Sequence, residues 1–342
     1  MRTRILVLVV GSLLVSHAPG LVRPAAAQGS QRWEFGEYQE LRLAPGPEAA
    51  GVVTRALEPA LRLSRVAVQR PQVAPGQTVK LIVEYQVLAP DPTISVKETR
   101  VIRFEGQPVA TLERVVSIPR GKGGSSVALK VPADAAPGFY TVTTTVEPRA
   151  AAETRSAGAE ERASSVFRVG AAAAPTPAVV APASPSTPAA APAVASAAPA
   201  VQFKLWTDKT SHKIGEKLKV SFQSDRDGYA TLVNVGTSGK ITVLYPNAYT
   251  PDHAVKAGQT YSIPRPEDFY ELSFGGPDGV ELVYALFTTV PVRFVEDNFI
   301  RSRAFVPVND QAETITRDIN LTVKKIPLKE QATAILEIEV TQ

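Results

Sequence analysis

The sequence predicts a mainly β protein: two β-sandwich-like modules, the second carrying one helix, on either side of a flexible, disordered Ala/Pro-rich connector. Three observations carry that expectation. Apolar and polar residues alternate over short runs, the period of a strand with one face buried. Gly, Pro, Asn and Asp punctuate those runs as turns between strands require. Residues 171–200 are almost wholly Ala, Pro, Val, Ser and Thr, with seven prolines and no charge, aromatic or glycine. Such a stretch has nothing from which to build a core and favours an extended spacer.

The N-terminus sets the expected compartment. Arg2 and Arg4 precede an apolar run from Ile5 to Val15, and Ala25-Ala26-Ala27 precedes Gln28. This is the layout of a secretory signal peptide with an A-x-A site, so residues 1–27 are expected to be cleaved and the chain exported to the periplasm or cell surface. His17, Pro19 and Gly20 cut the run short of the roughly 20 residues a membrane span needs. No later segment is apolar enough, so no transmembrane segment is expected after cleavage.

Removal of Arg2, Arg4 and Arg23 leaves 34 Lys+Arg against 33 Asp+Glu. Neither half then has the excess of positive charge that neutralising phosphates requires, which argues against nucleic acid and anionic lipid as partners. There is no cysteine. Disulfides, a lipobox, a thiol nucleophile and thiolate metal sites are therefore excluded, and the cores must hold the fold. The three histidines, His17, His212 and His253, have no metal-ligand spacing, and no nucleophile elbow, P-loop or dinucleotide fingerprint is present. The expectation is a protein that is not an enzyme, with no cofactor and no metal.

Residues 28–59 carry a small aromatic cluster, Trp33, Phe35 and Tyr38, ahead of an Ala/Gly/Pro stretch. Two readings stand: an arm that docks on its own module, or an aromatic peptide that adds a strand to a partner. Over 60–170, strands are expected at 61–69, 79–87, 95–104, 109–118, 126–131, 139–147 and 164–169. Seven short strands at this spacing point to an immunoglobulin-like sandwich. The phrases "VAPGQTVKLIVEYQV" and "VPADAAPGFYTVTTTVE" resemble the Ig-like modules of bacterial exported proteins, a likeness of fold and not of activity.

Residues 201–342 hold 15 of the 23 aromatic residues. Strands are expected at 203–207, 218–223, 229–235, 241–245, 280–288 and 334–340. Ile315, Ile319 and Val323, four apart, predict one amphipathic helix within 310–325, stopped by Pro327. The proline-rich connector predicts that 28–170 and 201–342 fold separately.

The stretch "WTDKTSHKIGEKLKVSFQSDRDGYATLVNVGTSGKITVLYPNAYTPDHAVKAGQTYSIP", followed by "GPDGVELVYALFTTVPV", resembles the bacterial domain of unknown function 4384 family over most of 203–292. The matching features include Asp227-Gly228-Tyr229, the Gly239 turn, Leu244-Tyr245-Pro246-Asn247 and Ala257-Gly258-Gln259. The resemblance implies an all-β accessory module of exported and envelope proteins and brings no catalytic residues with it.

Asp225-Arg226-Asp227-Gly228 reads as a tight turn with Gly228 at positive φ. The rival is a calcium loop opening D-x-D-G, which lacks the further ligands such a loop needs. The loop 245–253 leaves a strand, is kept irregular by two prolines, and offers Tyr245, Asn247, Tyr249, Asp252 and His253. Flat apolar faces beside hydrogen-bonding edges suit carbohydrate or peptide recognition. The same residues also suit a loop pinned on itself, with Asn247 and Asp252 bonding local backbone and the tyrosines capping the core. The function expected is a non-catalytic envelope adaptor that binds an envelope protein. The alternative is a module for cell-wall glycan, peptidoglycan or exopolysaccharide. A third is a hydrolase using carboxylates alone, Asp225 with Asp227, or Asp252 with Glu267 or Asp268.

Overall fold

The computed structural model describes residues 32–42, 60–88, 92–149, 160–170, 201–292, 294, 305 and 311–342. The expected signal peptide, most of the Ala/Gly/Pro stretch before residue 60, and the 171–200 connector lie outside them. The chain is mainly β, with one α-helix among the described residues.

The first half pairs two sheets face to face. One runs β1 (Glu34–Arg42), β7 (Gly121–Lys130), β4 (Thr78–Leu88) and β2 (Ala60–Val68). The other runs β3 (Gln72–Val73), β9 (Glu161–Val169), β8 (Gly138–Arg149), β5 (Thr93–Phe104) and β6 (Gln107–Pro119). Each of the seven expected runs is a strand. Alternation explains why: Val79, Leu81, Val83, Tyr85 and Val87 point inward from β4 and meet Ile102, Val142, Val96 and Val146 of the opposite sheet. Burying each such side chain contributes about 1.5–3 kcal/mol. Of the two readings of the aromatic cluster, docking is the one observed. β1 pairs antiparallel with β7, and Trp33, Phe35 and Tyr38 pack on the sandwich's own core.

One feature of this core escapes the usual pattern. The inward face of β5 reads Ile94, Val96, Glu98, Arg100, Ile102, so two charges lie between the sheets. The Arg100 guanidinium donates to Leu81 O at 3.0 Å, to Ser125 Oγ at 2.5 Å and to Glu98 Oε2 at 3.4 Å. Ser125 and Tyr38 hydroxyls donate to the two Glu98 oxygens at 2.8 and 3.3 Å.

In the second half the main sheet runs β11 (Ser211–Lys213), β20 (Gln331–Thr341), β19 (Gly279–Thr288), β14 (Gly228–Val235) and β15 (Ile241–Tyr245), with β16 (Ala254–Val255) also on β14. A three-stranded sheet, β10 (Phe203–Thr207), β13 (Val220–Ser224) and β17 (Thr260–Ile263), covers one face. Two short strands, β12 (Lys217–Leu218) and β18 (Leu272–Ser273), form a separate pair. The expected helix is α1, Ala312–Lys325, which ends at Ile326 with Pro327 beyond it. Its Ile315 and Ile319 are buried on the other face of the main sheet.

That second face is where the two halves meet. Val233, Val235, Leu282, Tyr284 and Leu286 share one apolar cluster with Ile315 and Ile319 and with Phe139 and Val166 of the sandwich. The Phe139 ring stands edge-on to Tyr284 at 4.9 Å between centroids. Asn320 clamps the Phe139 backbone, accepting from its N–H and donating to its C=O, both at 2.8 Å. Thr141 and Thr316 hydroxyls meet at 2.9 Å. Each half keeps clusters of its own, and the two also share this one. A connector's composition determines what the connector can do, not whether the modules it joins share a core.

Two glycines show how local sequence serves this packing. Gly228 does stand where a turn enters β14, but not at positive φ. It is glycine because a Cβ there would lie 2.4 Å from Thr288 O and 2.5 Å from the Phe287 ring. Gly239 has φ 77°, and a Cβ on it would lie 2.0 Å from Val66 O of the sandwich. The hairpin between β14 and β15 thus docks on the first half.

Candidate functional site

The loop singled out in the sequence runs from the end of β15 to β16, and its five residues part company. Tyr245 is 3% exposed, packs its ring edge-on to Phe222 at 5.2 Å and belongs to the main core cluster. Burial pushes its hydroxyl well above the ordinary value. Asn247 is buried and fully engaged. It donates to Leu244 O at 2.8 Å and accepts from the N–H groups of Tyr249 and Thr250 at 2.9 and 3.0 Å. Asp252 accepts from Ala254 N at 2.9 Å, an Asx turn that sets the chain up for β16. His253 is buried, its ring 4.8 Å from that of Tyr229 and its carbonyl accepting from Ala230 N at 2.9 Å.

Tyr249 faces outward, at 51% exposure, and Asp252 is exposed as well. The Tyr249 ring stacks on Tyr270 at 4.4 Å, and Phe305 continues the row at 4.9 Å from Tyr270. Phe269 beside them is fully exposed. Arg265 braces the group, its guanidinium donating to Asp268 at 2.7 and 3.0 Å and to Tyr249 O at 3.5 Å. Burial alone would raise the Asp268 carboxyl, but the bonds from Arg265 outweigh it and hold it below its ordinary value. Burial and then the bond to Asp268 push the Tyr270 hydroxyl up. The result is an aromatic surface with a neutralised ion pair at its base. Sequence reasoning found Tyr249 and missed Phe269, Tyr270 and Phe305, which come from segments remote in the chain.

The carboxylates of the hydrolase reading hold structural posts. Asp225 accepts from Gln202 N at 2.9 Å. Asp227 takes Lys256 Nζ at 2.9 Å and Ala257 N at 2.8 Å, contacts that lower its pKa. Glu267 and Asp268 both face Arg265, at 3.5 and 2.7 Å. Among the described residues there is no cluster of three or more His, Asp or Glu side chains arranged to hold a metal ion. No described helix is long and apolar enough to cross a membrane, which says nothing of strands.

A perturbed carboxyl lies elsewhere. Glu281, on β19, has its pKa raised by burial, against the opposing bonds from Asn234 Nδ2 at 2.9 Å and from Thr237 N–H. A folded pKa above the ordinary 4.5 means that the folded state holds the proton more tightly than the unfolded chain. This stabilising contribution is complete below the ordinary value and is lost as pH rises through the raised one. Glu281→Gln is therefore expected to raise the melting temperature at neutral pH, with the gain vanishing below about pH 4. Asn234 can turn its amide to serve the new donor, since its Oδ1 is buried without a partner. Melts at the two pH values check this; a variant less stable at neutral pH would mean that the carboxylate itself is required.

Comparison with known proteins adds one specific match: the family model described as "Domain of unknown function (DUF4384)" covers residues 211–291. That is the segment holding the loop, the hairpin and most of the main sheet. No curated protein matches the chain. Among solved structures, the crystal structure of Bacteroides uniformis β-glucuronidase aligns at 17% identity, over 32% of this chain and 13% of that one, with a TM-score of 0.20. The chain thus spans a small fraction of that protein's length, and so slight a likeness carries no argument about activity.

Proposed function

We propose that the chain is a non-catalytic adaptor of the bacterial envelope, exported by its N-terminal segment, which holds an envelope protein against the aromatic surface of its second half. The observation that carries this reading is the exposed Tyr249, stacked on a half-buried row of Tyr270 and Phe305, together with the fully exposed Phe269 next to Tyr270 in the chain. Exposed aromatics of this kind are the usual anchors of protein interfaces, and a contiguous apolar patch marks an interaction site. The surface favours protein over glycan. A sugar needs several free hydrogen-bonding edges beside the rings, and the Asn247 amide spends both of its atoms on the loop's own backbone.

Tyr249→Ala is expected to leave the melting temperature nearly unchanged and to weaken partner binding by about 1–3 kcal/mol. Tyr245→Ala, in contrast, should cost about 3–5 kcal/mol of stability, as aromatic truncations in cores do. A photoreactive aromatic at position 269 supplies the partner by crosslinking in cells, and purified peptidoglycan in a sedimentation assay serves as the glycan control. If Tyr249→Ala bound the crosslinked partner as tightly as the parent does, or if peptidoglycan alone were retained, the adaptor reading would be wrong.

A further inference from the structure

We propose that the groove between the two halves is a binding site for a small organic anion, one carrying a carboxylate or phosphate. The groove holds about 500 Å³ and takes its walls from both sides of the junction: Ser64, Arg65 and Glu84 from the sandwich, Ser238, Lys240 and Pro277 from the second half. Small-molecule sites favour module boundaries and fall in roughly the 300–1,000 Å³ range.

The charge and hydrogen-bond accounting points to an anion. Arg65 and Lys240 face one acid, Glu84, so the walls carry a net positive charge. Glu84 is already taken up, with its carboxylate 3.0 Å from Arg65 Nη1. Arg65 also reaches across the junction to donate from Nη2 to Thr237 O at 3.2 Å. Its Nε is buried without a hydrogen-bond partner. An unmet buried donor or acceptor costs about 1–3 kcal/mol, and native structures seldom leave one so. An unmet guanidinium nitrogen beside a cavity with cations on both walls is the arrangement a bound oxyanion resolves. The guanidinium offers a planar donor and the ammonium a mobile point charge, the combination that holds a carboxylate or a phosphate.

Local sequence explains why this site exists only in the assembled chain. The β14–β15 hairpin, Gly236 to Lys240, closes on itself through Gly236 N to Lys240 O at 2.8 Å. Gly239 lets it press against Val66, which carries Lys240 to the groove opposite Arg65. A ligand bridging these two side chains would fasten the junction on which the shared core depends. The site is separate from the Tyr249 surface, so either proposal can fail alone.

The test is titration calorimetry of the full chain at low ionic strength, where charge attraction is least screened. The probes are glucose 6-phosphate, gluconate and, as the neutral control, glucose. Saturable one-to-one binding of glucose 6-phosphate or gluconate, with none of glucose, is the expected result, and the tighter of the two identifies the oxyanion. Lys240→Gln should weaken that binding about ten- to hundredfold, the share of a charge-assisted hydrogen bond. Because Lys240 is exposed, its melting temperature should not change. Arg65→Lys, which keeps the charge and loses the planar fork, should weaken it as well. Absence of saturable binding by both anions, equal binding of glucose, or unchanged affinity in Lys240→Gln would each overturn the proposal.

Discussion

Arg100→Met is expected to cost about 3–5 kcal/mol of stability, whereas Glu98→Leu combined with Arg100→Met should return to within about 1 kcal/mol of the parent or exceed it. Arg100 is 1% exposed. Burial pulls its pKa down and Glu98 pushes it back, so the carboxylate partly offsets the cost of burying the guanidinium. Removing it leaves Glu98 as a charge between two sheets, with hydroxyl donors but no countercharge. Removing both leaves Leu and Met in a space already lined by Val96, Ile102 and Tyr85, where apolar side chains of similar volume pack well. The sign of the difference between single and double variants is what identifies the mechanism. Equal losses in the two would mean that Arg100 contributes through packing alone. Urea melts of the three proteins measure it.

The strands of the sandwich were legible because most of them have one buried face, and alternation records a single buried face faithfully. The Glu98–Arg100 pair was not, for the same reason: in "VKETRVI" charges at two alternate positions read as an outward face, and nothing local says that they point in. β19 shows the complementary loss. Leu282 to Thr288 is buried at every position, because the three-stranded sheet covers one side and α1 with Phe139 the other. Strands covered on both faces lose their period of two, and the second cover here comes from a later helix and from the sandwich. The two- and three-residue strands β11, β12, β16 and β18 are held by their pairing partners and carry too few residues for any pattern. In the candidate loop, composition drew attention to the right segment, yet a tyrosine in the core and a tyrosine on the surface are the same letter. What separates them is place: Tyr245 ends β15 and packs in the core, Tyr249 lies in the loop beyond it, and what completes the surface, Phe269, Tyr270 and Phe305, is brought in by the fold.

The second large effect concerns the junction itself. Phe139 is buried between the halves, its ring against Tyr284 and its backbone held at both ends by Asn320. Phe139→Ala should cost about 3–5 kcal/mol, the transfer free energy of the ring together with the cavity left behind. Because the cavity opens in a cluster fed by β8, β9, β14, β15, β19 and α1, the loss should be shared by both halves rather than confined to the sandwich that carries the residue. Scanning calorimetry of the parent chain and of Phe139→Ala tests this directly. The account predicts one transition in each, with calorimetric and van't Hoff enthalpies in agreement, displaced as a whole to lower temperature in the variant. Two resolved transitions in the parent, of which Phe139→Ala shifts only the one belonging to residues 60–170, would contradict it.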